Sequence, residues 1–181
     1  MNFTKTSIEG VLVVEPEPKE DNRGYFERVF CKQELNDNNV NFSVVQINQT
    51  MSLKKGTIRG PHIQKPPYSE DKLVRCIKGK IFDVAVDVRK KSKTFGKWIG
   101  IELSEKNNKM LLVPKGFLHG FQALENNSII TYPVSQYYHP ESVVGIRWDD
   151  PFFAIKWPIK KVFASKADAT WPMYPKLFKS F

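Results

Sequence analysis

Apolar residues along the chain come in short runs rich in Val, Ile and Phe, broken at close intervals by Gly, Pro, Asn and Asp. This pattern predicts strands at residues 10–14, 25–30, 44–50, 73–77, 81–88, 98–103, 110–113, 120–124 and 128–134. In the second of these, Phe26, Arg28 and Phe30 fall on one face. Helical periodicity is weak. It predicts a short helix at 32–37 and another around 165–168, with Ser165 as its cap. Many short strands separated by regular turns indicate an all-β sandwich or barrel. No repeat, linker or low-complexity stretch divides residues 1–181, so a single domain is expected.

Composition narrows the class further. Hydrophobic residues make up 41% and charged residues 26% of 181, as in ordinary soluble globular proteins. The first residues, MNFTKTSIEG, lack the apolar core of a secretory signal, and no apolar run is long enough to span a membrane. Cys31 and Cys76 are too few for a disulfide framework and read as reduced thiols of a cytoplasmic protein. The net charge of +9 raises the question of nucleic acid. However, the lysines are scattered as doublets (Lys54-Lys55, Lys90-Lys91, Lys160-Lys161) and no nucleic-acid-binding signature accompanies them. The expected partners therefore exclude nucleic acid and membrane and leave room for a small anionic ligand.

Two segments carry candidate chemistry: GTIRGPHIQ at 56–64 and PKGFLHGF at 114–121. Both resemble cupin motifs, in which a histidine points into a small jelly-roll barrel. Metal cupins have a second histidine where this chain has Gln64, a poor transition-metal ligand, and Glu70 comes later than their acidic ligand. Neither a metal nor another cofactor is expected. A histidine beside apolar residues is most often a packing or surface residue. His62 and His119 nonetheless fall where a small barrel gathers its site, while His139 sits in a His-Pro turn.

The segments DNRGYFE (21–27), QIN (46–48), IRGPHIQ (58–64), DKLVR (71–75), GKIFDVAVDVR (79–89), TFGKW (94–98), PKGFLHGF (114–121), Tyr137-Tyr138, IRWDDP (146–151) and SKAD (165–168) occur in one order. On these segments the chain resembles the dTDP-4-dehydrorhamnose 3,5-epimerase family over nearly its whole length. The resemblance implies a cupin-type jelly-roll β-barrel with short peripheral helices. The implied activity is inversion of C3, C5 or both in an NDP-4-keto-6-deoxy sugar, for rhamnose-like or capsular heptose and deoxysugar synthesis. It assigns His62 as base, Asp168 as the carboxylate that holds it, Lys72 facing the keto oxygen and Tyr132 as acid on the far face. Arg59 and His119 line the same pocket. Arg23, Phe26, Glu27, Gln46, Asn48 and Tyr138 are assigned to the nucleotide-diphosphate part of the ligand, with Arg23 and Phe26 reaching a neighbouring subunit. A homodimer follows, since the apolar amino-terminal strand would otherwise leave an open edge.

Asp83, Asp87 and Arg89 read as charges that fix the register of an alternating strand. Trp157-Pro158 and Trp171-Pro172 read as packing elbows. The chain departs from the family pattern at Pro61 before the base, at Tyr68-Ser69-Glu70-Asp71 before Lys72, and at Pro133 after the acid. Proline fixes φ and removes an N–H, so the strand under His62 should run differently and the ring of Tyr132 could be re-aimed. These departures leave dTDP and GDP, hexose and heptose, open. Three other readings also stand: a 3,4-ketoisomerase, a sugar-nucleotide-binding cupin without catalysis, and a metal-dependent cupin.

Overall fold

The computed structural model describes residues 1–174. The strands are β1 (Asn2–Lys5), β2 (Leu12–Glu15), β3 (Lys19–Asp21), β4 (Gly24–Phe26), β5 (Gln46–Ser52), β6 (Ile58–Gln64), β7 (Lys72–Lys78), β8 (Lys80–Asp87), β9 (Trp98–Ser104), β10 (Met110–Val113), β11 (Phe117–Ala123), β12 (Ser128–Val134) and β13 (Val143–Gly145). The described residues also form two short α-helices, α1 (Lys32–Asp37) and α2 (Lys166–Thr170), and a 3-10 turn at Pro140–Ser142. Six strands pair in the order β1-β2-β10-β7-β12-β5 and five in the order β13-β6-β11-β8-β9. The strands within each sheet pair antiparallel, giving the all-β architecture expected from the strand pattern and the jelly-roll that the resemblance implies. Among the described residues no helix is long and apolar enough to cross a membrane.

Side chains alternate across each sheet, which sorts them into layers. Val74 and Cys76 of β7, Ile81 and Ala85 of β8, Leu111 and Val113 of β10, Phe117 and Phe121 of β11 and Ile130 of β12 form the core between the sheets. The outer face of the five-stranded sheet (Val84, Val86, Leu118) is covered by Ile146, Phe153 and Ile155, with Trp157 against them. The outer face of the six-stranded sheet (Leu73, Met110, Leu112) is covered by Leu35 of α1 and Phe42. The same alternation turns Lys72, Asp83, Asp87, His119 and Tyr132 inward, in phase with these core residues.

Two expectations change. The strand foreseen at 25–30 ends at Phe26, as the second arm of the β3–β4 hairpin. Beyond it Glu27 pairs with Arg75 and Phe30 meets Phe42, so packing on the outer sheet face satisfies the alternation instead of a ladder. The amino-terminal strand β2 is also no open edge, because it is bonded on both sides, to β1 and to β10.

Strand β6 contains the irregularity that Pro61 foreshadowed. Its pairing with β11 shifts between His119↔His62 and Phe121↔Arg59, leaving one extra residue on β6. Residues 59 and 62 of a regular strand would point to opposite faces, and the bulge turns both inward. Gly60 takes a positive φ of 75°. At Gly120 opposite, a Cβ would lie 2.7 Å from the Arg59 carbonyl oxygen, so only glycine admits this close approach.

At the end of β8, the buried Asp87 carboxylate accepts hydrogen bonds from Arg89 Nε (2.9 Å) and Nη2 (2.8 Å) and from the hydroxyls of Ser92 (2.5 Å) and Thr94 (2.6 Å). Burial opposes its ionisation, but bonds from Arg89, Ser92 and Thr94 outweigh burial and hold the carboxyl at about 2. Asp87→Asn is expected to cost roughly 3 kcal/mol in urea denaturation, since it leaves a buried charge network broken. A carboxyl depressed by folding stabilises above its unfolded value near ~4. The deficit of the variant should therefore hold constant above that pH and close as pH falls toward about 2.

Candidate active site

The site lies between the sheets, where the core gives way to polar side chains. His62 on β6 and His119 on β11 form one wall. Lys72 on β7, Tyr132 on β12 and Asn48 on β5 form the facing wall. Two adjoining cavities share His62, Lys72 and Tyr132. One, about 200 Å³, is completed by Thr50, Arg59, His119, Phe121, Ser165 and Asp168. The other, about 300 Å³, is completed by Gln46, Asn48, Gln64, Glu70 and Tyr138. Of the residues expected in a site, nine thus line one continuous space. Pro133 does not turn its neighbour away: Tyr132 lines both cavities, while Pro133 lies on the outer face beside Ile47.

Burial sets the electrostatics. It lowers the pKa of His62 to about 3, assisted by the electrostatic influence of Lys72 and His119. The imidazole is therefore neutral at ordinary pH and free to take a proton. Tyr132 is pushed the other way: burial, then the charge of Glu70, raises its phenol above 10, against a smaller opposing effect of Arg59. It keeps its proton until a strong base forms beside it. Lys72, nearly buried, is ion-paired with Glu70 at 3.0 Å.

The carboxylates do not all stand where the sequence suggested. Asp168 lines the cavity with His62, but it accepts from the Gly60 N–H (3.1 Å) and the Ser165 hydroxyl (2.8 Å) rather than from the imidazole. Its oxygen thus caps an N–H in the bulge of β6, which fixes the backbone two residues before His62. The carboxylate that does hold a histidine is Asp83, whose Oδ1 lies 2.8 Å from His119 Nε2. The reading of Asp83 as a register charge is corrected accordingly. It faces the interior, and its cross-strand diagonal reaches His119.

Gln64, in the position of a metal-cupin histidine, is occupied by the protein itself. Its amide donates to the carbonyls of Tyr68 (3.1 Å) and Tyr137 (3.0 Å) and to Glu70, and its carbonyl accepts the His139 N–H (2.6 Å). It ties the loop before β7 to the loop after β12. Among the described residues no group of three His, Cys, Asp or Glu is disposed to hold a metal ion. With His119 Nε2 turned to Asp83, this donor set does not suit a cupin metal centre.

Arg23, Phe26 and Glu27 do not join this cavity. Arg23 is exposed and paired with Asp21 at 2.6 Å. Phe26 is 66% exposed on the hairpin, and Glu27 pairs with Arg75 on the outer face of the six-stranded sheet. Conversely, Asp83, Glu70, Thr50, Phe121 and Ser165 belong to the site although the motifs did not assign them there. The alternation of β8 and β11 was the signal for Asp83 and Phe121. Strand periodicity could not mark Glu70, which lies in a loop; its one trace was the departure from the family pattern at Tyr68-Ser69-Glu70-Asp71.

Nitrogen-15 NMR of the free protein tests the electrostatics. His62 is expected to remain neutral from pH 8 down to about 5, titrating well below the ordinary histidine value of ~6.5. A His62 resonance titrating near that value would show that the cavity does not exclude water as these contacts imply.

The chain was compared with known proteins. The family model of dTDP-4-dehydrorhamnose 3,5-epimerase matches residues 5–176. A dTDP-4-dehydrorhamnose 3,5-epimerase of Methanothermobacter thermautotrophicus is 44% identical over 172 residues, 93% of this chain and 92% of that protein. The Bacillus anthracis enzyme of the same name, solved with TDP and pyrophosphate bound, superposes with a TM-score of 0.93 at 40% identity, covering 95% and 98% of the two chains. The epimerase of Legionella pneumophila, solved with dTDP-4-keto-L-rhamnose, gives 0.90 at 38% identity over 95% and 92%. With the inward-facing His62, Lys72 and Tyr132 in a jelly-roll of this shape, the chain belongs to the dTDP-4-dehydrorhamnose 3,5-epimerase family.

Proposed function

We propose that this protein is an isomerase that inverts carbon next to the 4-keto group of a nucleotide-linked 4-keto-6-deoxy sugar. One observation carries the reading: His62 and Tyr132 stand on opposite walls of one cavity, with Lys72 beside Tyr132 on the second wall. His62 takes the proton from C3; the C–H electron pair forms a C3=C4 double bond while the carbonyl π pair moves to oxygen, giving an enolate. The Lys72 ammonium stabilises that charge, an effect worth ~2.7–4 kcal/mol of barrier for one donor in a dry site. The electrons then return to carbon, which takes the Tyr132 proton on the other face. Solvent resets the imidazolium and the phenolate. The same sequence serves C5.

Support for a dTDP-linked substrate comes from the TDP and dTDP-4-keto-L-rhamnose held by the two solved relatives. Nothing comparable supports a GDP-linked heptose. Gln46, Asn48 and Tyr138 suit the nucleotide end, Gln46 Oε1 accepting the Tyr138 N–H at 2.8 Å.

We further infer a homodimer. Strand β5 presents polar Gln46, Asn48 and Thr50 inward, while Ile47 (70% exposed) and Met51 (44% exposed) lie outward at the sheet edge. An apolar groove of about 360 Å³ lies beside Ile47. This face asks for cover, as do the exposed Tyr25 and Phe26 of the hairpin. A second copy would bring Arg23 and Phe26 to its neighbour's nucleotide.

Two experiments test these readings. In deuterated water with dTDP-4-keto-6-deoxyglucose, His62→Asn should keep its fold and lose ~100-fold or more of its turnover. Tyr132→Phe should still exchange the C3 hydrogen but form little inverted product, and full inversion by that variant would refute the acid assignment. For the assembly, light scattering should give twice the chain mass, and Ile47→Lys should give monomers with weakened activity. A wild-type monomer at working concentration would remove the dimer.

A further inference from the structure

We propose that Glu70 is a positioning residue of this site, holding the Lys72 ammonium at the cavity wall and setting a fixed negative charge beside Tyr132. This rests on the epimerase reading above. Glu70 lies in the loop before β7, in the segment where this chain departs from the family pattern, and its side chain is 11% exposed. Of the described residues lining the larger cavity it is the one carboxylate. Its two oxygens are committed in different directions, Oε1 to Lys72 Nζ at 3.0 Å and Oε2 to Gln64 Nε2 at 3.3 Å. Gln64 is itself anchored by the Tyr68 and Tyr137 carbonyls. A lysine side chain has several rotatable bonds, and an ammonium that must meet one oxygen gains from a partner that is fixed.

The charge matters as well as the contact. The groups around Tyr132 are Arg59 and His62 from β6, Lys72 from β7, His119 from β11, Asp168 from α2 and Glu70. Arg59 favours the phenolate, and Glu70 opposes it from the loop. Without Glu70 the phenol would surrender its proton at lower pH, and an acid that has lost its proton cannot complete inversion.

Glu70→Gln preserves size and the contact with Gln64 while removing the charge. Its kcat should fall ~10-fold or more, the scale of a displaced catalytic group. KM should not rise, because a negative charge has been removed from a site for an anionic diphosphate. The alkaline limb of kcat should move to lower pH. Glu70→Asp restores the charge and should return that limb toward the wild-type position. Either of two results overturns the proposal. One is wild-type kcat with an unmoved alkaline limb in Glu70→Gln. The other is a loss of kcat with raised KM and lowered Tm that Glu70→Asp does not relieve, which marks a loop clamp only. Wild-type enzyme assayed alongside separates the ideas: no wild-type turnover refutes epimerisation, while wild-type turnover with an indifferent Glu70→Gln refutes only the role of Glu70.

Discussion

The extra residue in β6 determines which side chains meet in the cavity. Strand geometry has a period of two, so Arg59 and His62 belong on opposite faces until the bulge at Gly60-Pro61 brings them to one. The bulge survives because three things accommodate it. Gly60 accepts a positive φ, Gly120 lets the backbones close in, and Asp168 accepts the Gly60 N–H that the irregular ladder leaves over. A carboxylate expected to hold the base thus acts on the strand beneath it. The position of His62 depends on this arrangement of backbone, and the facing wall from β7 and β12 then completes the site.

The cavity is polar inside a barrel that is otherwise apolar, and its charges are sorted by partner. His119 has Asp83, Lys72 has Glu70, and Asp87 has Arg89 with two hydroxyls. Buried charges without partners carry large desolvation costs, so such pairing is what lets them remain in the interior. Among the described residues no carboxylate is hydrogen-bonded to His62, and burial leaves it neutral. Burial thus favours the neutral imidazole of His62 and the protonated phenol of Tyr132 opposite. The difference between them arises from environment, not from residue type alone.

Gln64 links two loops that border the cavity. Its carboxamide joins the loop carrying Glu70 to the loop carrying Tyr137 and Tyr138, where Tyr68 stacks on His139 with centroids 3.7 Å apart. Where a metal cupin would spend this position on a ligand, the present chain spends it on tying two loops.

The sequence by itself determined the all-β class, most of the inward strands, the helix at Lys32–Asp37 and the Ser165 cap, because alternation and capping are local properties. It also marked His62, Lys72, Tyr132 and His119, since motif order carries that information. Tertiary structure decided the rest. The bulge in β6 comes from pairing with β11, and spacing along one strand cannot reveal it, although a Gly-Pro pair within a strand was its trace. The partner of His119 is a cross-strand neighbour, fixed by the β8–β11 register. Glu70 reaches Lys72 only because its loop folds back over the cavity. Arg23 and Phe26 lie outside their own chain's pocket because the hairpin that carries them runs along the surface. Contacts of that kind join residues distant in the chain, and no local pattern encodes them.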